Sequence, residues 1–450
     1  METPEKHKTA SVFESKTAKM IMVGFLILVL LIPLHFVKSL IEERSFRQKE
    51  MVDETSQKWG EGIYFYGPIL KIPYKKYTEN ESINEKTKVV VKTRTSKTYY
   101  AYFFPNELHN TTDVPMAKKL ERGLYKSNVF SAKMNFKGNF TQPNFEIENI
   151  PTADILWDKA TMLIKTTNMK SIKSQVEMQF GETNYLFEPT QSDSNNTYET
   201  LETSIVSAAS LKENQTVNFN FNINYNASKE VKIIPIGKTT EAKMKSDWHS
   251  PSFAGNYLPS EKNKKITDTG FQAEWQVLHL NRPFAQQNFE TLPDLTRYAF
   301  GVDFITPVDE YQQNERAAKY GFLMIALTFL IFFLIQSISK INIHIFQYTM
   351  IGLALIMFYT LLISITEHSS FTVAYLIAGC SVVVLISLYS IAILKNRKFP
   401  AFIGASLTVL YTFIFVIIQM EDFALLVGSI GLFMILASVM YFSRKIDWSK

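Results

Sequence analysis

The stretch LLISITEHSSFTVAYLIAGC, residues 361–380, joins two apolar runs through the short polar segment EHSS. Each run extends beyond this stretch to about 20 residues without a charged side chain, and a helix of that length crosses the roughly 30 Å hydrocarbon core of a bilayer. Helices joined by so short a loop pack as antiparallel neighbours. The stretch therefore predicts two membrane-spanning helices, with Glu367 and His368 at the end of the pair and not at mid-bilayer.

Six stretches of the chain meet the same test of length and composition. One lies near the N-terminus, and the other five follow one another closely in the last part of the chain. They are residues 20–37, 320–338, 347–366, 371–394, 399–418 and 423–442. The first could be read as a cleaved signal peptide, but LIPLHFVKSL (31–40) offers no small-x-small cleavage site, so an uncleaved anchor is favoured.

The basic residues of the short loops predict the orientation of the spans. Seven Lys and Arg residues lie in the loops and tail at one end of the predicted bundle, whereas the loops 367–370 and 419–422 at the other end contain none. Because cytoplasmic loops carry the excess of Lys and Arg, both termini are expected in the cytoplasm. The predicted organisation is a cytoplasmic leader (1–19), an anchor (20–37), a periplasmic domain (38–318), a five-helix bundle (319–442) and a cytoplasmic tail (443–450).

The long polar region between the first and second spans has the periodicity of β-strands. In TVNFNFNINY (216–225) apolar side chains alternate with asparagines, as in a strand with one face in water. The segments 88–104 and 128–140 are also rich in β-branched or aromatic residues. We predict an antiparallel, sandwich-like, β-rich domain. Since Cys380 is the single cysteine, no intrachain disulfide can form and the core alone must stabilise this domain.

The five clustered spans contain no Asp, Glu, Lys, Arg or His. A charge at mid-bilayer costs about 2.5–3.5 kcal/mol, so proteins retain one there mainly for function. The lack of such residues argues against ion-coupled transport and against an intramembrane metal protease, and we expect neither a cofactor nor a metal. The alternative is a transporter or lipid-handling protein, with a cavity in the bundle lined by Gln336, Gln347 and Tyr359.

The aromatic loop SDWHSPSFAGNYLP (246–259) is the first candidate contact site. Its Trp248, Phe253 and Tyr257 are expected to anchor it, with His249 beside them. A periplasmic hydrolase would need Asp247, His249 and a serine to converge, and neighbours in sequence do not predict that geometry. The loop is therefore interpreted as structural or docking, and not as catalytic.

Charged residues near the predicted outer membrane surface are the second group of candidates. They could be solvated helix ends, or they could bind a cation or couple the large domain to the bundle. A single His beside a Glu is not a zinc site, which needs three or four ligands. The residues are Asp309, Arg316, Lys319, Glu367, His368, Glu421 and Asp422.

Several stretches, in matching order and spacing, resemble the CreD family of bacterial inner-membrane proteins, also called cell envelope integrity proteins. They include LLIPLHFVKSLIEER (30–44), GPILKIPY (67–74), the loop 246–259, FGVDFITPVDEYQQNERAAKYGFLMIALTFLIFF (300–333) and RKIDW (444–448). Gln336 is a departure, because the family is expected to carry Glu there. The resemblance implies a periplasmic domain linked to envelope stress, colicin tolerance and β-lactam response, with no enzymatic activity or cofactor.

The sequence thus predicts a non-enzymatic inner-membrane protein that supports envelope integrity. Its partners are expected to be the lipid bilayer and an envelope component or envelope protein. The small net charge of +5 does not suggest nucleic acid. We predict contact or coupling through the loop 246–259 and the segment 306–319, so that Trp248→Ala or Asp309→Ala weakens stress tolerance at an unchanged membrane level.

Overall fold

The computed structural model describes residues 16–83, 90–116, 120–122, 125–190, 198–304, 310–339, 341–394, 398–420 and 423–444. The chain divides into two compact units. The first, called the helical unit, comprises Met1–Glu50 and Val308–Lys450, and the second, called the β unit, comprises Met51–Pro307. The β unit lies within the 38–318 range predicted for the large domain.

The helices are α1 (Lys16–Trp59), α2 (Ala209–Lys212), α3 (Glu310–Lys319), α4 (Gly321–Ser339), α5 (Ile345–Thr366), α6 (Phe371–Leu394), α7 (Lys398–Gln419) and α8 (Ala424–Ser443). Six of the described helices, α1 and α4 to α8, are long and apolar enough to cross a membrane. The prediction of one N-terminal and five C-terminal apolar helices is confirmed. Unlike the anchor predicted for 20–37, α1 continues well beyond its apolar part.

Within the helical unit, α1 packs on its neighbours by placing leucines over glycines. A Cβ at Gly321 in α4 would lie 2.8 Å from Leu34 Cδ1, and one at Gly352 in α5 would collide with Leu30. Leu30 and Leu34 are both buried. Small residues allow transmembrane helices to approach closely, because lipid supplies little hydrophobic force to hold apolar helices together.

The β unit contains the described strands. They are β1 (Ile63–Ile83), β2 (Val90–Phe103), β3 (Glu107–Val114), β4 (Leu120–Arg122), β5 (Tyr125–Ser127), β6 (Phe130–Phe140), β7 (Thr161–Thr166), β8 (Glu177–Phe180), β9 (Thr183–Pro189), β10 (Glu199–Thr203), β11 (Val217–Ala227), β12 (Glu230–Ile233), β13 (Thr239–Ser246), β14 (Ser252–Gly255), β15 (Lys265–Thr267), β16 (Gly270–Leu278), β17 (Gln287–Phe289) and β18 (Phe300–Asp303).

Sixteen of these strands form one hydrogen-bonded sheet, and β4 pairs separately with β5. Fourteen of the sixteen lie along one path in the order β14-β18-β12-β1-β7-β10-β9-β8-β11-β6-β3-β13-β16-β15. Off this path, β2 pairs with β1 and β17 pairs with β2. Most pairs are antiparallel, but β1 pairs with β12 in parallel and β3 pairs with β13 in parallel. The β-rich fold is confirmed, and the sheet is mixed.

The two halves of the path, joined where β9 pairs with both β10 and β8, pack face to face. Phe65 of β1 stacks on Phe136 of β6 with ring centroids 4.1 Å apart. The Tyr225 hydroxyl of β11 donates to Thr166 Oγ1 of β7 at 2.9 Å. As the alternation in 216–225 predicted, β11 buries its odd-numbered apolar residues from Val217 to Tyr225.

Candidate functional site

Trp248, at the start of the aromatic loop, is a core residue. It follows the end of β13 and is only 8% exposed. Its indole N–H donates to Ser250 O at 2.8 Å, and its backbone N–H donates to Ser246 Oγ at 3.1 Å. Ser246 Oγ in turn donates to Val114 O at 2.6 Å. The turn is therefore closed on itself by hydrogen bonds, with Trp248 anchored inside it.

Phe253 and Tyr257 hold the rest of the loop against the sheet. Phe253 lies in β14 and meets Trp275 edge to face, with ring centroids 6.0 Å apart. The Tyr257 ring packs edge to face on Phe300 at 6.0 Å, and its hydroxyl donates to Asn281 O at 3.1 Å. Partial burial raises the pKa of Tyr257 above its ordinary value. Both rings act as anchors that leave the neighbouring backbone at the surface.

The arrangement does not assemble a hydrolase site in this loop. Asp247 Oδ1 accepts a hydrogen bond from Met116 N at 2.7 Å, so this carboxylate supports the adjoining chain. His249 is exposed and lies beside the Trp248 ring, with ring centroids 5.3 Å apart. In the described part of the chain, no hydrogen bond joins Asp247, His249 and a serine. Nor do any three His, Cys, Asp or Glu side chains there form a group that could hold a metal.

The loop does present an exposed surface, which we call the β14 edge: strand β14, His249, Leu258 and Leu280. Among the described strands β14 pairs only with β18, so one side of its backbone is unpaired. Leu258 and Leu280 are 74% and 81% exposed, and the Tyr257–Asn281 hydrogen bond brings their chain segments together. Sequence reasoning missed the two leucines, because neither belongs to a periodic pattern.

At the end of the helical unit, Glu367 pairs with a residue that the sequence did not single out. Arg44 Nη1 of α1 lies 3.5 Å from Glu367 Oε1, and the two side chains are 36% and 16% exposed. Glu367 also ends α5, where its backbone N–H donates to Ile363 O at 3.2 Å. His368 beside it is exposed. Glu367 is therefore partly buried and tied to α1, unlike a freely solvated helix end.

Arg316 and its neighbours tie α3 to the ends of the membrane helices. Arg316 Nη1 donates to Ile418 O near the end of α7 at 3.5 Å, and Gln313 Nε2 donates to Gln419 Oε1 at 3.4 Å. A cation near helix C-terminal carbonyls is favourable, because those groups carry partial negative charge. Lys319 is exposed. The predicted residues Asp309, Glu421 and Asp422 lie outside the described residues.

Each of the three polar residues predicted to line a bundle cavity makes a different contact. Gln336 Oε1 accepts from the Tyr348 hydroxyl at 3.0 Å, which links α4 to α5 by a neutral hydrogen bond. Gln347 Oε1 accepts from His344 N at 2.9 Å and caps the start of α5. Tyr359 is 1% exposed and packs on Phe358. The bundle does contain a groove, between α4, α7 and α8, but none of the three predicted side chains lines it.

Comparisons with known proteins cover nearly the whole chain. A family model described as "Inner membrane protein CreD" matches residues 15–449. A protein of Escherichia coli strain K12, described as "Inner membrane protein CreD", is 28% identical over 429 residues, which is 94% of this chain and 91% of that protein. A solved structure from Legionella pneumophila, described as a candidate nutrient binding protein, aligns with 51% of this chain and 77% of that protein's chain at 10% identity. The TM-score of 0.24 is too low for this likeness to support an inference.

Proposed function

Because this chain belongs to the CreD family of inner membrane proteins, we propose that it is a non-enzymatic protein whose β unit binds an envelope component or envelope protein. In this proposal the binding supports envelope integrity under stress. Both termini are cytoplasmic and residues 38–318 are periplasmic. The seven basic residues in the loops and tail at one end of the bundle, and their absence from the two loops at the other, support this orientation.

The distribution of ionisable residues supports a role other than catalysis or coupled transport. The five clustered spans carry no Asp, Glu, Lys, Arg or His, which are the groups that proton relays and intramembrane metal sites use. In the β unit, Asp247 is engaged by Met116 N and is not hydrogen-bonded to His249. The chemistry that remains is recognition at a surface.

The observation that carries the proposal is the β14 edge. A strand with unpaired backbone groups can accept a partner strand, and native proteins usually cover or charge such edges. Here the edge is flanked by Leu258 and Leu280, two of the most exposed leucines described. Exposed apolar side chains beside free backbone donors and acceptors fit an extended polypeptide segment of an envelope protein.

Substitution of Leu258 by Asp tests this surface. A charge placed in an apolar contact is expected to weaken binding about tenfold or more, which would lower survival of cells exposed to a β-lactam. Ile147→Asp is the matched control, because Ile147 is a 65% exposed aliphatic residue of the β unit that lies in the turn Glu146–Glu148 and does not belong to the β14 edge. Both variants must reach the wild-type level in the membrane.

A photoreactive amino acid at His249 then identifies what lies against the edge in living cells. The proposal expects one envelope protein to be captured in the wild-type background and lost with Leu258→Asp, but retained with Ile147→Asp. Equal survival of both variants, together with no specific capture at His249, would contradict it.

A further inference from the structure

A groove of about 520 Å³ runs along the helical unit between α4, α7 and α8. This volume falls in the range of pockets that hold small ligands. The lining is apolar apart from two serines, and one of these, Ser438, already donates to Met434 O within its own helix. The groove therefore fits an apolar chain and offers no path for a hydrated solute.

The groove crosses the middle of the bundle and lies closer to one end of the helices than to the other. Its lining comes from 327–338 of α4, 402–413 of α7 and 431–439 of α8. At 1.5 Å per residue the longer two segments span about 17 Å, which is close to half of the roughly 30 Å hydrocarbon core. The lining stops one to four residues short of the helix ends on the side where α4 and α8 finish and α7 begins, and six or seven residues short of them on the other side. The groove is thus about as long as one lipid leaflet is thick, and it extends past the middle of the helices.

One end of the groove is closed and the other is open. At the closed end the Phe413 ring packs directly on Gly431, where even a Cβ would collide with it. From there the groove runs toward the end of the bundle at which α4 and α8 finish and α7 begins. An occupant therefore enters from the membrane surface or sideways from lipid, with its tip at the contact of Phe413 with Gly431.

The open end carries positive charge. Lys398 is the first residue of α7 and precedes the lining residue Phe402 by one helical turn. Arg444 directly follows α8, is exposed, and lies 4.2 Å over the Tyr441 ring. Basic groups between transmembrane helices at the membrane surface bind anionic lipid headgroups.

From the apolar lining, the length of about 17 Å and the basic opening together, we infer that the groove binds an acyl chain of an anionic phospholipid, with its phosphate held by Lys398 and Arg444. Apolar burial alone does not favour one occupant here, because lipid tails are as apolar as the lining. The charge at the opening is what selects an anionic lipid. The inference is independent of the function proposed for the β unit.

Native mass spectrometry of the delipidated full chain in detergent tests the groove. One dioleoyl phosphatidylglycerol is expected to bind per chain, about tenfold or more tightly than dioleoyl phosphatidylcholine. Ala405→Phe and Val409→Phe fill the groove and are expected to abolish this binding, since both residues line it. Ala437→Phe is the matched control, because Ala437 is exposed on α8 but does not line the groove.

The double variant Lys398→Gln/Arg444→Gln tests the headgroup contact. It is expected to weaken phosphatidylglycerol binding about 30-fold, from the typical attraction of two basic residues to an anionic lipid, without changing phosphatidylcholine binding. Lys319→Gln, at the other end of the bundle, is the control. Thermal melting of each variant confirms that it is folded.

Three results would overturn the inference. The first is wild-type phosphatidylglycerol binding by both folded groove-filling variants. The second is equal binding of the two lipids by the wild-type chain. The third is a wild-type dimer, free of bound lipid, that Ala405→Phe dissociates, which would assign the groove to a second copy of the chain.

Discussion

Replacement of Trp248 tests whether this residue of the aromatic loop stabilises the fold of the β unit. Trp248 is 8% exposed within the β-unit core and donates one hydrogen bond to Ser250 O. Truncation of a buried Trp to Ala costs about 3–5 kcal/mol, because packing is lost and a cavity remains. Trp248→Phe keeps most of the packing and removes the hydrogen bond, at a cost of about 0.5–1.5 kcal/mol. The Ala variant is therefore expected to be much the less stable.

Tryptophan fluorescence during thermal unfolding of the full chain measures this difference. Three other tryptophans, Trp59, Trp157 and Trp275, lie in the β unit, so the signal reports chiefly on that unit. For a unit of this size about 2–4 °C of melting temperature is lost per kcal/mol. We expect Trp248→Ala to melt about 10 °C below the wild type, and Trp248→Phe about 3 °C below it.

His249→Ala is the neighbouring control, since an exposed substitution changes stability by about 0.5 kcal/mol at most. A Trp248→Ala chain that melts within about 2 °C of the wild type would refute the argument from burial. If the large shift is found, loss of stress tolerance in Trp248→Ala reports on folding as well as contact. Variants of the exposed β14 edge then become the ones that test function.

Two further predictions concern charges. In a double-mutant cycle of Arg44→Gln and Glu367→Gln, thermal melting in detergent should give a coupling free energy of about 0.5–1 kcal/mol. This coupling should fall in 1 M salt, because the ion pair is only partly buried. A coupling of zero would show that the ion pair does not stabilise the contact between α1 and α5. Burial alone would lower the pKa of Lys232, but its hydrogen bonds to Glu230 and Asp303 raise it above the ordinary lysine value. A group whose pKa is raised on folding stabilises the folded state most fully below its unfolded pKa, so Lys232→Met should lower the unfolding free energy at pH 8 by about 1–3 kcal/mol. The difference from wild type should shrink only above about pH 10.4. A difference already lost by pH 9 in denaturant titrations would contradict this.

The sequence reasoning succeeded where each segment's own composition was sufficient. Partition of a helix into lipid depends on its local hydropathy, so all six apolar helices could be read from the chain. The alternation in 216–225 likewise placed the apolar residues of β11 on the buried face, because successive side chains of a strand point to opposite sides.

The candidate site could be predicted only in part from the local sequence. The sequence predicts that the aromatic residues Trp248, Phe253 and Tyr257 anchor the loop. It does not reveal that Trp248 is buried while Leu258 and Leu280 are exposed. Exposure depends on which distant strands cover a residue, and a short loop has no periodicity that reveals it. The β14 edge could therefore be found only in the folded sheet.

Contacts between distant segments were decided by the tertiary structure alone. Arg44 meets Glu367 because α1 packs beside α5, and the groove exists because α8 leaves a gap along α4 and α7. The parallel pairing of β1 with β12 joins strands that are far apart in the chain. Local hydropathy and charge determine which medium a segment enters, whereas shape and hydrogen bonding between separate segments determine which neighbour it meets there.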